Sequence, residues 1–153
     1  MKLRVNFKRL HPDAVVPFKK HSDDYCYDCV ATSVEQLAPN IYRYGLGFAL
    51  QVDRKDRAIK IPVDKLLAID VRPRSSVWET GMVLANSPGT CDEPYTGEYK
   101  VTFYHIFPEM PRYEVGDKVC QIKIGFTLPL EFVEVDGLEQ TDRGDGGFGS
   151  TGR

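Results

Sequence analysis

Apolar residues alternate with polar ones in many short runs. Leu3, Val5 and Phe7 do so at the start. Ala58-Ile59-Lys60-Ile61-Pro62-Val63 and Val119-Cys120-Gln121-Ile122-Lys123-Ile124 repeat the pattern, and residues 130–135, from Leu130 on, give another run. A period of two marks strands with one buried face. Turn formers separate the runs: Ala38-Pro39-Asn40, Asp53-Arg54-Lys55-Asp56, Ser87-Pro88-Gly89 and Glu114-Val115-Gly116-Asp117. Short strands at close spacing predict an all-β sandwich or barrel. Helix is limited to a turn or two at residues 64–67 and 75–80. The β pattern stops near Gly137, and residues 141–153 have no core periodicity. One β domain over residues 1–140 and a flexible glycine-rich tail over 141–153 are therefore expected.

Composition narrows the classes. With 20 Lys+Arg against 22 Asp+Glu the net charge is −2, which excludes a strongly basic nucleic-acid binder. No direct nucleic-acid binding is expected, but a local anion site remains open. A chain of 153 residues buries roughly two-thirds of its unfolded surface and needs no disulfide or metal to hold its core. Charges interrupt the first nine residues, so no signal-peptide core is seen, and no run approaches the ~18 apolar residues of a membrane span. A cytoplasmic protein is expected (host cytoplasm if the source is viral), with Cys26, Cys29, Cys91 and Cys120 as reduced thiols.

Six of the 13 glycines fall in residues 137–153. Glycines let backbone N–H groups close on an anion, Ser150 and Thr151 add hydroxyls, and Arg143 and Arg153 add cations. This suits a polyphosphate. It is not a P-loop, which requires a lysine and a following helix. A merely floppy terminus is the other reading, against which Phe148 stands. Arg72-Pro73-Arg74-Ser75-Ser76 offers guanidinium and hydroxyl donors matched to phosphate, or else a solvated turn.

In the polar segment Asn86-Ser87-Pro88-Gly89-Thr90-Cys91-Asp92-Glu93-Pro94-Tyr95-Thr96-Gly97, Asp92 could serve as a general base, Asn86 could read an amide-like edge and Tyr95 could stack. Asp92 could equally bond only its own turn. Cys26-Tyr27-Asp28-Cys29 lacks the second pair of a zinc site and reads as two small buried residues on a strand. His11, His21 and His105 show no metal spacing. The basic N-terminal 20 residues read as a solvated edge strand.

Taken in order, these segments resemble the five motifs of the trimeric dUTP pyrophosphatase (dUTPase) family, from about Ser22 to Arg153. Tyr25-Cys26-Tyr27-Asp28-Cys29 matches the first motif, and Pro73-Arg74-Ser75-Ser76 the second. Asn86 with Gly89-Thr90-Cys91-Asp92-Glu93-Pro94-Tyr95-Thr96-Gly97 matches the third, and Gly116-Asp117-Lys118-Val119-Cys120-Gln121 the fourth. Arg143-Gly144-Asp145-Gly146-Gly147-Phe148-Gly149-Ser150-Thr151-Gly152 matches the fifth. Three departures stand out: Cys26 and Cys29 replace the usual Gly and Leu, Val77-Trp78-Glu79-Thr80-Gly81 departs from the commoner sequence after the second motif, and Cys91 replaces Ile.

The resemblance implies a distorted jelly-roll-like β-barrel, a homotrimer whose active sites are shared between subunits, and hydrolysis of dUTP to dUMP and pyrophosphate. It further implies Asp92 as the base for water attack on the α-phosphorus, and Mg2+ on the triphosphate with Asp28 holding its waters. Arg74, Ser75, Ser76 and Gln121 would contact phosphate. Arg143, Gly149, Ser150 and Thr151 would bind the γ end, Phe148 would stack on uracil, Asn86 would read the base, and Tyr95 would pack under the deoxyribose. The alternatives are a dCTP deaminase, or bifunctional deaminase/dUTPase, of the same superfamily and a catalytically idle trimeric regulatory homologue. Thr102 stands where a deaminase carries its glutamate and Glu79 where it carries a second arginine. Intact Asp28, Asp92 and tail oppose an idle protein.

Overall fold

A computed structural model of the chain describes residues 2–55 and 65–146. Among them are ten strands: β1 (Val5–Arg9), β2 (Tyr27–Val30), β3 (Ser33–Ala38), β4 (Ile41–Gly45), β5 (Phe48–Val52), β6 (Leu66–Arg72), β7 (Met82–Leu84), β8 (Gly89–Asp92), β9 (Lys100–His105) and β10 (Lys118–Thr127). They form two four-stranded antiparallel sheets, β2-β10-β6-β8 and β3-β4-β9-β7, and the pair β1-β5. The fold is all-β and jelly-roll-like. Among the described residues no helix is long and apolar enough to cross a membrane.

Alternation puts the core between the sheets. Leu67, Ile69 and Val71 of β6 and Val101, Phe103 and His105 of β9 point inward, with Tyr44, Phe48 and Tyr99 fully buried among them. The Tyr44 hydroxyl donates to the Tyr113 carbonyl at 2.8 Å, and its ring meets Phe103 edge-on at 5.9 Å. Burial pushes the Tyr44 phenol up to about 12, so it stays a neutral donor. β10 breaks its own alternation: its pairing with β2 shifts between Lys118 and Cys120, leaving Val119 and Cys120 both fully buried. That is a bulge, one extra residue that changes which way the following side chains point.

Several expectations hold and some do not. The 3-10 helix Ser75–Thr80 supplies the short helix expected there. It ends at Gly81, whose φ of 60° suits glycine, and a Cβ there would lie 2.8 Å from the Phe107 carbonyl. The expected turn at residues 64–67 is corrected: Leu66 and Leu67 open β6, because Leu67 belongs to its inward row. Asp64 and the run from Ala58 to Val63 lie outside the described residues. The run of residues 130–135 makes no strand. Its alternation finds no partner strand within the described chain, and Phe132 is 89% exposed. Cys29 is buried on β2 as expected, but Cys26 precedes the strand and is only half-buried. All four cysteines are free, and among the described residues β1 is an edge strand paired with β5 alone.

Candidate functional site

Asp28, Arg74, Ser75 and Gln121 converge on one cavity of about 360 Å3, walled otherwise by residues 18–21 and 24–26 and Lys118. Asp28 and Gln121 are register partners on β2 and β10, on the sheet face away from the core. Arg74 follows β6 at the corner where Pro73 turns the chain into the 3-10 helix. Its Nε lies 3.1 Å from one Asp28 carboxylate oxygen, and Lys118 Nζ lies 3.2 Å from the other. Ser76 accepts from Arg74 Nη1 at 3.3 Å, which fixes the guanidinium fork. Gln121 Nε2 donates to the Pro73 carbonyl at 2.9 Å and so braces that corner.

The third-motif residues lie elsewhere in the same chain. Asp92 ends β8, opposite Ala68 of β6, and its side chain is exposed. It lines a second cavity of about 830 Å3 together with residues from the ends of β1, β5 and β6. Strand order places three inter-strand steps between β2 and β8. The registers Asp28 to Gln121 to Arg72, and Ala68 to Asp92, add four residues along β6. At about 4.8 Å per strand and 3.3 Å per residue, Asp28 and Asp92 are roughly 20 Å apart. Between them the same face carries Asp70, paired with Arg72 and Lys123 at 3.5 and 3.6 Å and accepting from Thr90 at 3.1 Å.

Two sets of contacts, each tying the third motif to residues outside it, set the Asp92 hairpin. Arg54 clasps Glu93 with two hydrogen bonds, one of 2.6 Å, and its guanidinium holds the Glu93 carboxyl below the ordinary range. Glu93 also accepts from the Leu67 N–H at 3.3 Å, and the Arg54 guanidinium also donates to the Lys65 carbonyl at 2.8 Å. The Tyr95 hydroxyl donates to the Glu98 carbonyl at 2.8 Å, and its ring meets Tyr99 at 5.8 Å. Gly97 permits this: a Cβ there would come within 2.6 Å of the Tyr95 oxygen. Asn86 is exposed, its amide lying over Gly89.

Arg143 lines neither cavity. Its Nε donates to the Gly146 carbonyl at 3.0 Å, in a local turn that includes Gly144 at φ 50°. Phe148, Gly149, Ser150 and Thr151 lie outside the described residues. Lys118, in contact with Asp28, and Arg54, which clasps the neighbour of Asp92, are not visible from motif letters. Lys118 occupies a free position of the fourth motif, and Arg54 is 39 residues from its partner.

Comparison with known proteins gives the family. The dUTPase family model matches residues 50–152. A deoxyuridine 5'-triphosphate nucleotidohydrolase of Wolinella succinogenes is 30% identical, over 99% of this chain and 96% of its own length. One from Clostridium novyi is 34% identical, over 99% of both. Among solved structures, a Staphylococcus bacteriophage 80alpha dUTPase with dUPNHPP superposes with a TM-score of 0.75, at 21% identity, over 98% of this chain and 99% of that one. A phage phi11 dUTPase of S. aureus, described with the coordination of a structural Mg(II) ion, superposes with a TM-score of 0.65 at 18% identity, over 90% of this chain and 99% of that one. Matched in sequence along nearly its whole length and in fold from end to end, the chain belongs to the dUTPase family.

Proposed function

We propose that the chain is a homotrimeric dUTP diphosphatase, hydrolysing dUTP to dUMP and pyrophosphate at sites each built from more than one copy. The observation that carries the shared site is the split within one chain: the Asp28–Arg74–Ser75–Gln121 cavity and the Asp92–Tyr95 hairpin are too far apart to grip one α-phosphate together. A second support is the apolar strip beyond β10. Leu130, Phe132, Val133 and Leu138 are 70–89% exposed, surface that another copy would cover.

In the assembled site Asp92 accepts a proton from water as the water oxygen bonds to the α-phosphorus. The bond from that phosphorus to the bridging oxygen breaks, and pyrophosphate leaves. Arg74, Ser75 and Ser76 offer donors to the phosphate oxygens, with Gln121 bracing their corner and facing the same cavity. Asn86 reads the base, and Tyr95, held upright by Glu98, packs against the sugar. The tail supplies Arg143, Gly149, Ser150 and Thr151 to the γ end and Phe148 to the base.

Asp28 gives the cavity a hard carboxylate among cationic neighbours, with Asp24, which accepts from the His21 N–H, as the other acid of the lining. This fits Mg2+ arriving on the triphosphate with its waters retained rather than a protein cage. When bound there, Mg2+ supplies charge neutralisation at the phosphate oxygens. The phi11 enzyme is described with a structural Mg(II) ion, which supports Mg2+ as the metal but does not bear on its place at the triphosphate. A deaminase reading finds no carboxylate at Thr102, which sits in β9 opposite Arg43.

Mixing the protein with each deoxynucleoside triphosphate and Mg2+ should release pyrophosphate from dUTP alone. No release from dUTP, or equal release from dTTP and dCTP, overturns the reading. Site sharing has its own test. Asp28→Asn and Asp92→Asn should each be inactive alone, yet refolded together they should recover up to about a quarter of the sites, those in which each chain supplies what the other lacks. A mixture as inactive as its parents would place both groups of each site in one chain.

A further inference from the structure

Both oxygens of the Asp28 carboxylate are engaged by cations, Arg74 on one and Lys118 on the other. Lys118 is held from two sides. Its ammonium lies 3.2 Å from Asp28 and also 5.0 Å from the centre of the Phe18 ring. Phe18 is tied to Asp28 by reciprocal backbone hydrogen bonds of 2.7 and 3.2 Å. The bulge in β10 makes this possible. Along a regular strand Lys118 and Gln121, three residues apart, would point to opposite faces; with Val119 and Cys120 both turned into the core, Lys118 and Gln121 share the face of Asp28.

The two cations on Asp28 have different futures. Arg74 is a phosphate ligand in the proposed function, so its guanidinium, with Nε on Asp28, is shared with the triphosphate. Lys118 has no such second duty in the proposed function: its ammonium sits between Asp28 and the Phe18 ring. We propose that Lys118 is a positioning residue for the Mg2+ site: it keeps the Asp28 carboxylate aimed at the metal's waters while Arg74 is shared with the nucleotide. The inference rests on the dUTP and Mg2+ reading above. Neighbours that orient a metal-binding carboxylate are commonly worth about 10–100-fold in metal affinity.

The sign of the effect separates positioning from simple charge. If Lys118 acted only through its field, it would favour metal-free dUTP, the more negative ligand, over Mg·dUTP. Removing it would then increase the advantage that Mg2+ confers on binding. Positioning predicts the opposite.

The experiment is calorimetric titration with a non-hydrolysable imido analogue of dUTP, in Mg2+ and in EDTA, on wild type, Lys118→Met and Lys118→Arg. Methionine keeps an unbranched side chain of similar length and removes the charge. Lys118→Gln is carried alongside, so that one neutral variant folds even if another does not. The ratio of affinities with and without Mg2+ should fall at least about tenfold in the neutral variants and return to within about threefold of wild type in Lys118→Arg. A ratio that is unchanged or raised in a folded neutral variant overturns the proposal, as does failure of arginine to restore it. A wild type that does not bind the analogue, or gains nothing from Mg2+, would instead undo the underlying functional reading.

Discussion

Asp92→Asn should lower kcat for dUTP by about a thousandfold and leave affinity for the imido analogue within about twofold, because general-base catalysis is typically worth 10²–10⁴. The amide has the carboxylate's shape but cannot take a proton from water. Nothing in the fold depends on the charge. Asp92 is exposed at the end of β8, and its backbone carbonyl, not its side chain, accepts from the Tyr95 N–H at 3.0 Å. A surface change of this kind shifts stability by less than about 0.5 kcal/mol. Single-turnover rates and analogue titration on the same preparation decide the matter. Near-full activity means another group is the base, and lost binding means Asp92 is a ligand to the nucleotide rather than a proton acceptor.

Removing residues 142–153 should reduce kcat/KM by at least about a hundredfold while the barrel melts at its normal temperature. Those residues include Arg143, Phe148, Gly149, Ser150 and Thr151, assigned to the γ end and the base; contacts that hold a substrate in reactive geometry supply large factors of this kind. The described part of the tail holds itself by local bonds: the Gly144 N–H to the Thr141 carbonyl and the Gly146 N–H to the Arg143 carbonyl, each at 3.0 Å. Residues 142–146 are exposed or half-buried, and none belongs to the buried core. A truncated chain that keeps wild-type turnover, or one that no longer folds, contradicts this division of labour.

The β class and the site letters were legible in the sequence for different reasons. Strands with one wet face announce themselves, as β10 does through Cys120, Ile122 and Ile124. β5 does not, since Phe48, Ala49 and Leu50 are all buried and leave no alternation to see. Residues 130–135 carry the alternation without the strand, because pairing requires a partner that the described chain does not provide. For the site, the motif letters led to Asp28, Arg74, Ser75 and Gln121, which the fold gathers into one cavity. They could not show that Asp92 stands far off, a matter of strand order and register. Nor could they reveal the Arg54–Glu93 clasp, whose partners meet only after folding.

The bulge in β10 turns a spacing into a constraint. Between Asp117 and Gln121 the fourth motif leaves three positions free in letter, here Lys118, Val119 and Cys120. Their number is tied to the bulge. Gln121 must face the cavity and Ile122 the core, so losing or gaining one residue here must remove or enlarge the bulge, or else turn every later side chain of the strand inside out. Drift in this part of the chain can therefore proceed freely by substitution, but a change of length has to be absorbed at the bulge, and a relative keeping the same count with different letters would keep the site's geometry.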